Sequence, residues 1–135
     1  MKKLCILWIA IFCIAITACT NHTGDTVNEQ GESIMYEQIT PQKAKELMET
    51  ESDYIILDVR EQDEFDGGHI PGAILIPYTQ INAKAEAMLP DPDQLILVYC
   101  RSGRRSKIAS ESLVKLGYTN VKEFGGINDW PYGVE

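Results

Sequence analysis

A single thiol closes the apolar run from Gln94 to Tyr99, and four cations, Arg101, Arg104, Arg105 and Lys107, stand within the next seven residues. The chain around them is acidic, with 20 Asp and Glu against 12 Lys and Arg and a net charge of −8. The segment Cys100-Arg101-Ser102-Gly103-Arg104-Arg105 lies between a strand-like run and a helix-like one. A tight loop in that position turns successive backbone N–H groups into one concavity. The helix that follows adds its unpaired N–H groups and the positive end of its dipole. Gly103 supplies the positive φ that such a loop needs. A thiol in this cradle has its pKa lowered, because every neighbour favours the anion. Cys100 is therefore expected to be a thiolate at neutral pH, able to hold an anionic group bonded to it. The competing reading is a buried structural cysteine followed by arginines on a solvated helix face. Three arginines and a glycine within five residues fit that reading poorly.

The elements that must position the loop are legible from periodicity and punctuation. Thr40 and Pro41 read as the cap and first residue of a helix that continues through PQKAKELMET. Tyr54–Val59, Ala73–Pro77 and Gln94–Tyr99 are short apolar runs and read as buried strands. EQDEFDGG suggests a short acidic helix stopped by Gly67 and Gly68, and TQINAKAEAML a longer one ended by Pro90 and Pro92. Arg104 to Leu116 reads as a helix with Ile108, Ala109, Ser112, Leu113 and Leu116 on one face, and Gly117 sits where its C-terminus wants a glycine. NVKEF is a last short strand and INDWP a last turn of helix. Strands alternating with helices predict an α/β fold with a mostly parallel sheet, whose ligands bind at the carboxyl ends of the strands.

The N-terminal part reads differently. Residues 1–18 have a basic start and an apolar core too short for a confident membrane span, the layout of a secretory signal peptide. The sequence Ile16-Thr17-Ala18-Cys19 resembles a bacterial lipobox, which implies lipidation of Cys19 and a domain exported and anchored to a bacterial membrane. Residues 19–34 form a polar stretch with little to bury, expected as a disordered tether. The folded domain is then 35–135. Of the four cysteines, Cys5 and Cys13 leave with the signal, so Cys100 is the one free thiol and has no internal partner. His22 and His69 are the two histidines, and no Cys/His cluster has metal spacing, so no metal and no cofactor is expected. The acidic balance argues against nucleic acid and against membrane contact other than through the lipid. A local cluster of cations points to a small anionic ligand.

The loop CRSGRRS resembles the active-site loop of rhodanese-family sulfurtransferases. LDVREQDEFDGGHIPGA (Leu57–Ala73) resembles the family's early motif and FGGINDW (Phe124–Trp130) its closing one, in the right order across residues 35–135. The resemblance implies a rhodanese-like fold, a five-stranded, mainly parallel sheet with helices on both faces. It implies that Cys100 carries sulfur as a persulfide from thiosulfate or a similar donor to cyanide or a thiol. Arg101, Ser102, Gly103, Arg104 and Arg105 become substrate-binding residues, with Arg105 favoured for sulfite, Arg101 assisting and Arg104 either binding or facing solvent. Asp58 and Arg60, at a strand end beside the site, are expected to pair with loop or neighbouring groups in support, or else to form a surface ion pair. His69 reads as a structural turn residue rather than a base, Trp130 as packing, and Asp63, Glu64 and Asp66 as a solvated helix face. Two alternatives stay open. One is a non-catalytic binding module of the same fold. The other is a cysteine phosphatase or arsenate reductase, which requires arginine at the sixth residue after the cysteine, where this chain has Ser106.

Overall fold

The computed structural model describes residues 26–27 and 33–135. The segment read as a signal peptide, and Cys19, read as its lipidation site, lie outside the described residues. In chain order the elements are β1 (Thr26–Val27), β2 (Ser33–Ile34), β3 (Glu37–Gln38), α1 (Pro41–Thr50), β4 (Tyr54–Asp58), α2 (Gln62–Asp66), β5 (Ile74–Leu75), α3 (Ile81–Met88), β6 (Leu95–Cys100), α4 (Arg104–Lys115) and β7 (Val121–Gly126). Short 3-10 turns cover Tyr78–Gln80 and Ile127–Asp129. Inside the stretch read as a tether, β1 and β2 pair antiparallel. The other five strands form one sheet in the order β3-β7-β6-β4-β5, and every neighbouring pair is parallel.

The apolar run before Cys100 becomes β6, near the middle of the sheet and buried at all six positions. Alternation along the strands divides the core in two. Leu57, Val59, Ile96, Val98 and Cys100 face Ala85 of α3 and Ala109 and Leu113 of α4. Ile56, Leu97, Tyr99 and Phe124 face Ala44 of α1. Burial on both faces is why these strands read as unbroken apolar runs. Thr40 caps α1 by accepting from the Lys43 N–H at 3.1 Å, with Pro41 in the first turn. Gly117, at φ +100°, ends α4 in a Schellman motif: Tyr118 N–H donates to Leu113 O and Gly117 N–H to Val114 O.

The buried face of α4 is rotated from the expected one. Ala109 and Leu113 point inward, but Ile108 and Leu116 stand 40% and 47% exposed. Ser106 and Ser110 are buried instead. Ser106 Oγ donates to Glu123 on β7 at 2.6 Å, so its burial at the start of the helix is satisfied by a hydrogen bond.

Asp58 and Arg60 close β4 as a buried pair rather than a surface one, at 0% and 5% exposure. Arg60 Nη2 donates to Asp58 Oδ2 at 2.6 Å and to Gly68 O at 2.8 Å, and Arg60 Nε spans both carboxylate oxygens. The pair braces the turn after α2. Asp58→Ala leaves Arg60 buried with an uncompensated charge and is expected to lower unfolding free energy by about 3–5 kcal/mol in urea titration. A loss below about 1 kcal/mol would mean the pair does no more than a surface one.

Candidate active site

Cys100 is the last residue of β6 and is 1% exposed. Its Sγ accepts from the Gly103 N–H at 3.1 Å and lies 3.5 Å from Ser106 Oγ. Gly103 makes this possible at φ +102°, where it also serves as the N-cap of α4. Burial pushes the Cys100 thiol up. Contact with the Ser106 hydroxyl and hydrogen bonds from the backbone N–H groups of Ser106, Gly103 and Ser102 outweigh it, and the net displacement is downward. The cradle expected from the sequence is present, and its backbone donors favour the anionic form of the sulfur.

The floor of the cradle is Gly126. A Cβ there would stand 2.1 Å from Arg101 O and 2.6 Å from Ser102 Cα, so the loop backbone rests on bare glycine. A register slip makes room. Val98 pairs with Glu123, but Cys100 pairs with Gly126, so β7 carries one extra residue there. Asn128 N–H then donates to Arg101 O at 3.3 Å.

The arginines divide into two kinds. Arg105 donates two bonds to Glu64 of α2, Nη1 to Oε2 at 2.6 Å and Nη2 to Oε1 at 2.8 Å. Glu64 is therefore not part of a solvated acidic face. It also accepts from the Glu61 N–H, closing a capping box on α2. The Arg105 hydrogen bonds pull the Glu64 carboxyl down to about 2, against the opposing effect of burial. The same bonds push Arg105 further up. Arg101 and Arg104 are exposed, as is Ser102, and neither arginine forms a salt bridge among the described residues.

Other expected residues sit apart from the sulfur. Asp58 and Arg60 bond each other and Gly68 and support the site through the fold. His69 stacks on Phe65 with ring centroids 3.7 Å apart, and its Nδ1 lies 3.0 Å from Phe65 O, which makes it a turn residue. Trp130 packs on Phe124 at 5.6 Å. Sequence reasoning missed Glu123, which is 3% exposed and accepts from Ser106 Oγ at 2.6 Å and from Gly125 N–H at 2.8 Å. The signal available was an acid next to Phe124 inside the short strand read at NVKEF.

The family model described as a rhodanese-like domain matches residues 40–131. The thiosulfate sulfurtransferase PspE of Escherichia coli is 37% identical over 73 residues, covering 54% of this chain and 70% of that protein. The adenylyltransferase and sulfurtransferase UBA4 of Candida albicans is 29% identical over 126 residues, covering 88% of this chain but only 27% of that protein. Among solved structures, a rhodanese-related protein from Thermoplasma volcanium is 33% identical with a TM-score of 0.64, covering 74% of this chain and 98% of that one.

The Glu64 shift has a stability consequence with a definite sign. A carboxylate lowered from 4.5 to about 2 stabilises the fold above its unfolded value and loses that contribution as pH falls through its folded one. The difference in unfolding free energy between the wild type and Glu64→Gln should be flat near neutral pH and shrink between pH 4.5 and about 2. A difference that does not change over that range would contradict the pairing.

Proposed function

The chain belongs to the rhodanese-like domain family, and from that membership we propose that it is a sulfurtransferase working through a persulfide on Cys100. The donor is thiosulfate or a similar anion, and the acceptor is cyanide or a thiol. The observation that carries this reading is the ring of N–H donors around Sγ, with Gly103 N–H at 3.1 Å. The Cys100 thiolate attacks the outer sulfur of thiosulfate. The new S–S bond forms as the old one breaks, and its electron pair leaves with sulfite. The persulfide anion rests among the same donors until an acceptor takes its terminal sulfur and Cys100 returns as thiolate.

The fold resemblance favours Arg105 for sulfite. Its guanidinium already spends two donors on Glu64. We therefore assign the attraction of the dianion chiefly to Arg101 and Arg104, with Arg105 adding charge while it holds α2 against α4. A phosphatase mechanism is disfavoured by Ser106 at the position where arginine closes a phosphate cradle. The binding-module reading is disfavoured by the retained cysteine and its donors. The pattern at residues 1–19 supports an exported domain tethered through lipid on Cys19.

Thiosulfate plus cyanide should yield thiocyanate, and Cys100→Ser should abolish it. Turnover of an aryl phosphate instead would make the protein a phosphatase. Neither activity would make it a binding module. In the same assay Arg101→Ala should raise the KM for thiosulfate roughly tenfold, the loss of one charge-assisted contact. An unchanged KM would remove Arg101 from the donor site.

A further inference from the structure

The buried carboxylate of Glu123 has no part in the sulfur-transfer steps above, yet it stands one hydroxyl away from the sulfur. Ser106 Oγ has one proton and several acceptors around it. Glu123 Oε1 is at 2.6 Å, Gly103 O at 3.0 Å and Gly125 O at 3.3 Å, while Cys100 Sγ is at 3.5 Å. The shortest contact takes the proton. With its proton on the Glu123 side, Ser106 offers the sulfur a lone pair, which suits a thiol and not a thiolate.

We propose that Glu123 is a positioning residue for Cys100: it sets the direction of the Ser106 hydroxyl and so governs how readily the sulfur becomes a nucleophile. The chain has two balanced arrangements. In the first, the Cys100 S–H donates to Ser106 Oγ, which donates to the Glu123 carboxylate. In the second, one proton has passed from sulfur to Oγ and another from Oγ to Oε1. The Glu123 carboxyl then donates to Oγ, and Oγ donates to the thiolate. The total charge is the same in both. Gly125 N–H, at 2.8 Å from the same Oε1, holds the carboxyl in line. Glu123 also lines an open cleft of about 390 Å³ with Ser102, Gly103 and Lys107, which gives the shared proton a route to solvent.

The other charged groups around the chain come from every element packed on it. Arg105, paired with Glu64 of α2, acts on the Cys100 charge. Lys107 of α4 and Asp129 of the closing turn border the same cleft. The Tyr36 phenol, ahead of β3, lies within electrostatic reach of Glu123. None of them bonds Ser106, so the hydroxyl answers to Glu123 first.

The inference rests on Cys100 as the nucleophile, and its test does not need sulfur transfer. The rate of Cys100 alkylation by iodoacetamide is followed against pH. Glu123→Gln, which removes the charge and offers Ser106 a donor, should lower the midpoint by about one pH unit, a roughly tenfold faster reaction below it. In the Ser106→Ala background the same change should shift the midpoint much less. Glu123→Asp keeps the charge but draws it back from Ser106, and should also lower the midpoint. An unmoved midpoint in Glu123→Gln, or an equal shift with and without Ser106, would overturn the proposal. If the glutamine variant does not fold, an unmoved midpoint in Glu123→Asp overturns it alone. Loss of thiocyanate production with these shifts intact would instead count against the sulfur-transfer reading.

Discussion

Cys100, at 1% exposure, is removed from water, so its ionised form needs donors supplied by the protein itself. That requirement shapes the surroundings of Cys100. Its position at the end of β6 puts it where the chain must turn and where the first N–H groups of α4 are unpaired. Gly103 bends the backbone so that its own N–H faces the sulfur. Gly126 lies under the loop because any side chain there would meet Arg101 and Ser102 backbone atoms. The one-residue slip of β7 against β6 brings Gly126 into place, and leaves Glu123 and Gly125 beside Ser106. Removing any one of these features changes the position of the donors.

The charges around the site fall into layers. Deepest are Asp58 and Arg60, which bond each other and hold the turn after α2. Next is the Arg105–Glu64 pair, which ties α2 to the start of α4 and keeps a cation near the sulfur. Outermost are Arg101 and Arg104, which are both exposed. In a chain of net charge −8 these cations are a local exception.

Much of this was readable in the sequence. Buried parallel strands announce themselves as apolar runs, so β4 and β6 and the helices between them were placed correctly. The thiol cradle followed from a cysteine, a glycine and a helix start in one loop. What escaped was long-range and polar. Glu64 and Arg105 are 41 residues apart, and nothing local distinguishes Glu64 from Asp63 or Asp66. Glu123 and Ser106 meet only once β7 and α4 are packed together. On α4, Ala109 and Leu113 face inward as periodicity dictates, but Ser106 and Ser110 join them while Ile108 and Leu116 face out. Periodicity measures apolar content and is blind to a buried hydrogen bond such as that of Ser106 with Glu123.

The central claim is that the loop holds a sulfur anion on Cys100. The direct measurement is the intact mass of the purified protein after incubation with thiosulfate, and again after cyanide is added. The account predicts a gain of one sulfur atom that cyanide removes and that Cys100→Ser prevents. No gain on the folded, reduced protein, or a gain that survives Cys100→Ser, would contradict it.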